Sequence, residues 1–199
     1  MKRAVFYLIL LAASASASVR AQTGPSAAEK APETEMQKML PDPIIDNCFV
    51  GAIEIGMRMD SIYRFFAKER IYKVYTYDQT GRRESIQVVD IDGNSPYMVF
   101  EPECYGKEKE MCTIWRITVR TPKYYTKRSI KVGNTLRELR EAYVITSVKW
   151  EEGNLVALAE MSNISFLLDT SKISKSWYFT MSPALLPADA KIVGIRITE

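Results

Sequence analysis

Two stretches of the chain follow one pattern, and their spacing constrains the fold more than any other sequence feature. Residues 53–66 and 130–143 each begin with a short alternating apolar segment, pass through a glycine and continue with apolar residues at helical spacing. Gly56 and Gly133 occupy the same place in the two stretches, 77 positions apart. The pattern predicts a strand, a tight turn and a helix in each stretch.

A second match supports a duplicated architecture. At an offset of 78 the apolar positions of one alternating segment coincide with those of another, namely Ile114, Ile117 and Val119 with Ile192, Ile195 and Ile197. Together the matches predict an α+β fold of two tandem repeats, each with a short strand, one helix and an antiparallel β-meander. The first repeat is expected to span residues 44–126 and the second residues 127–199.

The expected helices have recognisable starts. In the first repeat, Asp60 is placed to cap a helix that runs through Ala67. In the second, Thr135 is placed to cap a helix that runs through Tyr143, and Glu138 completes a capping box.

The first 21 residues have the pattern of a secretory signal peptide. Lys2 and Arg3 precede an apolar run that is too short to span a bilayer, and small residues precede position 22. Residues 22–43 are rich in proline and poor in apolar residues, which predicts a flexible tail. We therefore expect an exported protein, periplasmic or extracellular, with no integral membrane span in the mature chain. Because no cysteine follows the cleavage position, no lipid anchor is expected.

Export also changes the charge balance. Loss of Lys2, Arg3 and Arg20 with the signal lowers the formal charge from +3 to zero. Nucleic acid binding depends on an excess of Lys and Arg facing phosphate, so no nucleic acid partner is expected.

The chain has no histidine, which excludes the Ser-His-Asp and Cys-His nucleophile arrangements. The absence of histidine and of a Cys-x-x-Cys pair also argues against a zinc site. No metal and no cofactor are expected. Two carboxylates, Glu101 and Glu103, flank Pro102 and are the candidates for an acid–base pair, whereas solvated charges at a strand end are the alternative explanation.

Three cysteines follow the signal. Cys104 and Cys112 bracket a polar loop that contains a glycine, so a disulfide between them could join the two ends of that loop in an exported protein. The alternative is that these two residues and Cys48 are buried or free thiols.

Two aromatic segments are candidate binding surfaces. Tyr124, Tyr125, Lys127 and Arg128 lie between the repeats and suit contact with an acidic or glycan partner, or else form a linker that packs on both sheets. The residues of the second segment, Trp177, Tyr178 and Phe179, lie in a long irregular stretch typical of functional loops. Their alternative role is to cover the second sheet.

The segment Ile53-Glu54-Ile55-Gly56-Met57, followed by an amphipathic stretch and a meander, resembles the repeat of secreted beta-lactamase-inhibitor proteins. It is also similar to the helix-plus-sheet module of small outer-membrane assembly lipoproteins. The resemblance covers most of residues 50–197 in outline, and no binding residue is transferred from either family. The chain departs from the lipoproteins in lacking a lipidated cysteine and from the inhibitors in cysteine placement.

These observations predict an exported, non-catalytic protein-binding module of the bacterial cell envelope, either an inhibitor or an assembly factor. Its expected partner is another envelope protein. The alternative is a carboxylate-dependent protein that binds or hydrolyses glycans, with Glu101 and Glu103 as the acids.

Overall fold

The computed structural model describes residues 43–78, 81–90, 96–106, 111–174, 177 and 182–199. All of them belong to one compact unit, Pro32–Glu199. The predicted signal peptide and all but the last residue of the predicted tail lie outside the described residues. In the described part, no helix has the length and apolar character needed to cross a bilayer.

Most of the described chain is β-strand. The strands are β1 (Ile44–Ile45), β2 (Phe49–Val50), β3 (Ile53–Glu54), β4 (Ile71–Asp78), β5 (Gly81–Val89), β6 (Pro96–Tyr105), β7 (Met111–Val119), β8 (Tyr125–Thr126), β9 (Ile145–Glu151), β10 (Asn154–Ala159), β11 (Ile164–Leu168) and β12 (Ile192–Thr198). Eight of them form one antiparallel sheet in the order β4-β5-β6-β7-β12-β11-β10-β9. The others form a small sheet in the order β3-β2-β1-β8.

One face of the large sheet carries the main core. A row of directly paired, buried apolar side chains crosses seven of its strands, namely Val88, Met98, Val119, Ile195, Phe166, Ala157 and Val148. Because side chains alternate between faces along a strand, the same pairing places a second set of residues on the opposite face. Apolar residues of the small sheet and of the helical segments join the core on the first face.

The first predicted helix is wrong. The segment forms two 3-10 helices, Met59–Arg64 and Lys68–Arg70, instead of a continuous α-helix. Asp60 caps neither one, because it is the second residue of the first 3-10 helix. Its carboxylate pairs with the Arg58 guanidinium at 2.8 Å. Without a cap, the first turns gain no side-chain acceptor for their free N–H groups.

The second predicted helix is present as α1 (Leu136–Ala142), with its capping box. The Thr135 side chain accepts from the Glu138 N–H, and the Glu138 carboxylate accepts from the Thr135 N–H at 2.6 Å. Leu136 and Leu139 are fully buried.

The predicted α+β fold of two helix-plus-sheet repeats is therefore wrong. The described residues contain one α-helix, and β7 pairs with β12, so strands from both halves share one sheet. The matched glycines instead mark two similar junctions. The Gly56 N–H donates to Ile114 O at 2.7 Å, and the Gly133 N–H donates to Ile192 O at 2.8 Å. Both glycines have positive φ, where a side chain would be strained.

Candidate functional site

Two of the predicted binding residues are in the core. Tyr124 and Trp177 are each 3% exposed. The Tyr124 ring packs edge-on against Tyr97 at 5.9 Å, and burial raises the pKa of its hydroxyl. The Trp177 indole N–H donates to Ser182 O at 2.8 Å. Neither side chain offers a contact surface; Tyr178 and Phe179 lie outside the described residues.

The other residues of the first aromatic segment lie at the surface and contact the fold. Tyr125 lies in β8 and is 37% exposed. Lys127 forms an ion pair with Asp46, which lowers the pKa of that carboxyl. The Arg128 guanidinium donates to Ala142 O at the end of α1. Arg128 thus satisfies a carbonyl at the helix C-terminus.

The structure joins Cys104 and Cys112 in a disulfide. The two residues are directly paired across β6 and β7, with their Cα atoms 4.1 Å apart. Cys48 is a free, exposed thiol.

The disulfide lines a pocket on the core face of the large sheet, and two core residues line it as well. We call it the edge pocket; its volume is about 320 Å³, and it is lined by Arg58, Met59, Asp60, Tyr63, Lys73, Glu84, Ile86, Pro102, Cys104 and Cys112. Its charged residues are paired: Lys73 lies 3.2 Å from Glu84, and this hydrogen bond raises the pKa of Lys73. The pocket therefore combines apolar walls with a charge-balanced rim.

Strand β4 forms one edge of the large sheet beside this pocket. Within the part of the chain that the structure describes, β4 pairs with β5 alone. Four exposed tyrosines lie on β4 or on the 3-10 helix Met59–Arg64, which helps to line the pocket: Tyr63 (39%), Tyr72 (51%), Tyr75 (44%) and Tyr77 (77%). Tyrosine is enriched at protein contact surfaces because it offers a large apolar area and a polar end.

The opposite face of the sheet carries a second candidate site. Three arginines and three glutamates meet there, and we call them the arginine cluster: Arg83, Arg116, Arg196, Glu101, Glu151 and Glu152. Glu152 lies in the turn between β9 and β10 but contacts Arg83 on β5 at 3.2 Å. The sheet must therefore curl towards this face to bring its distant strands within side-chain reach.

Two arginines of the cluster are almost completely buried. The side chains of Arg116 and Arg196 are 5% and 6% exposed. Arg116 Nη1 lies 2.9 Å from Glu101 Oε2 and 2.5 Å from Glu152 Oε2. A guanidinium stays charged at all ordinary pH values, so its burial requires nearby carboxylates.

The pKa values of the two carboxylates that contact Arg116 shift in opposite directions. Burial raises the pKa of Glu101 despite the nearby Arg116 charge. Burial alone would also raise the pKa of Glu152, but the hydrogen bond and charge of Arg116, with the charges of Arg196 and Arg83, lower it overall. A split of this kind is typical of an acid and a base, although here the shared Arg116 Nη1 fills the space between the carboxylates.

Sequence reasoning identified Glu101 as a candidate carboxylate but missed the arginines that surround it. The sequence does offer one signal: Arg116 and Arg196 each lie between two apolar residues, in strands whose pattern predicts burial. Their meeting with Glu152 depends on sheet curvature, which no local pattern shows.

No family model matches this chain, and no curated protein matches it in sequence. In fold it is similar to the uncharacterized protein yfeY from Escherichia coli, whose crystal structure superposes with a TM-score of 0.55. The alignment covers 78% of this chain and 99% of that chain at 18% sequence identity. At this sequence identity the similarity shows only that the two chains share a fold.

Proposed function

We propose that this chain is an exported, non-catalytic protein-binding module of the bacterial cell envelope, acting as an inhibitor or an assembly factor. The observation that carries the proposal is the outer edge of β4, which lies beside the edge pocket and among exposed tyrosines. Its occupant would be an extended segment of a partner protein that adds a strand to β4.

The strand suits this mode of binding. β4 pairs with β5 from Ile71 to Asp78 without a register shift, so it contains no bulge that would disrupt a straight edge. It also contains no proline. A long regular edge without these protective features is a template for pairing with another chain.

The edge pocket supplies side-chain selectivity. In strand addition the main chain gives affinity, and alternate side chains of the bound segment enter pockets beside the edge. Met59, Ile86 and Pro102 give the pocket apolar walls, while the Lys73–Glu84 pair lies on its β4 side. An apolar or aromatic side chain on the partner is the expected anchor.

The proposal is tested with purified partner. Mature protein from Gln22 is cross-linked to the envelope fraction of its own source, and the captured partner is purified for affinity measurement. We expect Tyr75→Ala to weaken binding about tenfold or more without changing the melting temperature, because aromatic residues dominate contact energies.

The control variant is Tyr125→Ala, which removes a tyrosine of similar exposure from β8. Equal affinity of the wild type and Tyr75→Ala would contradict the β4 site. Loss of affinity in Tyr125→Ala instead would move the contact surface to β8, Lys127 and Arg128. Retention on glycan material with no protein partner would contradict the protein-binding function.

The opposite pKa shifts of Glu101 and Glu152 favour a second candidate, a carboxylate-dependent glycan-binding or glycan-hydrolysing protein. In such an enzyme Glu101, with the raised pKa, would be the general acid. Hydrolysis of cell-wall glycan by the wild type, abolished in Glu101→Gln, would support this candidate against the binding module.

The Glu101→Gln and Glu152→Gln variants should have opposite effects on the pH dependence of stability. The folded-state pKa of Glu101 is raised above 4.5. The contribution of this carboxyl group to the free energy of unfolding is therefore present at low pH and is lost as the pH rises through the folded-state pKa. Glutamine mimics the protonated acid, so the free energy of unfolding of Glu101→Gln should increase relative to wild type as the pH rises above 4.5.

For Glu152 the sign is reversed. Its lowered pKa gives stability above 4.5 that is lost as the pH falls, so Glu152→Gln should lose stability relative to wild type as the pH rises. Urea unfolding of both variants over a pH series measures the two slopes. Slopes of the same sign would contradict the electrostatic description of the cluster.

A further inference from the structure

The carboxylate of Glu152 occupies a position surrounded by guanidinium groups. Its Oε1 lies 3.2 Å from Arg83 Nη1, and its Oε2 lies 2.5 Å from Arg116 Nη1 and 3.7 Å from Arg196 Nη2. One oxygen thus bridges two almost buried arginines on the neighbouring strands β7 and β12. Arginine guanidinium groups are the donors that proteins commonly use to recognise carboxylates.

The buried arginines are not fully satisfied by the fold. The Nε atoms of both Arg116 and Arg196 are buried without a hydrogen-bond partner among the described residues. Buried polar atoms in native proteins are nearly always paired, so each unpaired one calls for an explanation such as a bound ion, an ordered water or a functional role. The two unpaired Nε–H groups are therefore donors that a ligand could use.

Glu152 is held in a conformation that glutamate rarely adopts. Its φ is 50°, and that of Gly153 is 75°, as in a two-residue hairpin turn that favours asparagine or glycine at the first position. A strained residue whose side chain points at functional groups is a frequent feature of binding sites. Glu152 reaches the arginines from the tip of a hairpin, where a small change in the turn would withdraw its carboxylate.

We propose that Arg116 and Arg196 form a binding site for a carboxylate group, and that Glu152 occupies this site until an external carboxylate displaces it. The exchange leaves the charge of the buried cluster unchanged, because one carboxylate replaces another and Glu152 moves into solvent. A phosphate dianion fits less well, since Glu101 and Glu151 add negative charge beside the arginines. This site lies on the face opposite the edge pocket and does not depend on partner binding at β4.

The key variant is Glu152→Gly. It empties the position of the carboxylate, and glycine is favoured at the positive φ of this turn, so the backbone is not further strained. Removing the internal competitor should tighten external carboxylate binding about tenfold or more. Glu152→Gln is the matched control, because it fills the same position with a neutral amide.

The probes are sodium acetate and a tetraglutamate peptide, each compared with sodium chloride at equal ionic strength. Binding is followed through the arginine Nε–H signals in ¹H–¹⁵N spectra and through thermal unfolding. We expect acetate or the peptide, but not chloride, to shift these signals and raise the melting temperature of Glu152→Gly. The shifts should be much smaller in Glu152→Gln and in the wild type.

The two probes distinguish the source of the carboxylate. Binding of acetate at least as strong per carboxylate as that of the peptide supports a small-molecule ligand, whereas binding of the peptide alone supports an acidic segment of a protein. Folded Glu152→Gly that responds to neither probe, or responds no more than Glu152→Gln, overturns the proposal and makes the cluster purely structural. Because no variant here touches β4, this result leaves the partner-binding test unaffected.

Discussion

Replacing Trp177 with alanine should lower the free energy of unfolding by about 3–5 kcal/mol. The side chain is 3% exposed and belongs to the main core, so the change leaves a cavity and removes apolar contacts. It also leaves Ser182 O without the 2.8 Å hydrogen bond from the indole. Urea denaturation at one pH measures the effect as a lower midpoint with an unchanged slope.

Trp150 provides the control for this prediction. It lies on β9 and is 44% exposed, so Trp150→Ala should change the free energy of unfolding by less than about 1 kcal/mol. If Trp177→Ala is as mild as Trp150→Ala, the side chain is not a core residue. The sequence-based hypothesis that Trp177 contacts a partner would then return.

The sequence predicted the strands of the second half well. The antiparallel meander that it predicted within residues 127–199 is present as the consecutive strands β9, β10 and β11. Alternation of apolar and polar residues is a local signal, and short turns between strands leave little freedom in their pairing. The local pattern was therefore sufficient here.

Helix prediction failed in the first half because the deciding interactions are not periodic. Met59 and Ile62 are three residues apart, a spacing that fits a 3-10 helix as well as an α-helix. Phe66, four residues further on, lies beyond the 3-10 helix, which ends at Arg64. The Asp60 carboxylate, which was expected to cap the helix, pairs with Arg58. At the equivalent place in the second half, Thr135 has the complete capping box, and an α-helix forms.

The sites were less predictable than the strands because exposure is a tertiary property. An aromatic residue in an irregular segment can cover the core or face solvent, and Tyr124 and Trp177 do the former. Likewise, Arg83 and Glu152 meet across 69 positions of sequence only because the sheet curls. No composition or spacing rule contains that curvature.

The second large effect is expected at Arg116. Arg116→Leu should lower the free energy of unfolding by about 3–5 kcal/mol, because it leaves the carboxylates of Glu101 and Glu152 without their shared partner. Arg83→Leu is the control. The Arg83 side chain is 48% exposed, so losing its ion pair with Glu152 should have an effect of less than about 1 kcal/mol.

A double-mutant cycle separates charge from packing at Arg116. Its guanidinium also lies 4.0 Å from the centre of the Trp115 ring, so leucine removes a stacking contact as well as a charge. If the carboxylates explain the loss, Arg116→Leu should be less damaging in a Glu152→Gln background, with a coupling of about 1–3 kcal/mol. Additive effects would mean that Arg116 stabilises the sheet through Trp115, and the cluster would lose its electrostatic explanation.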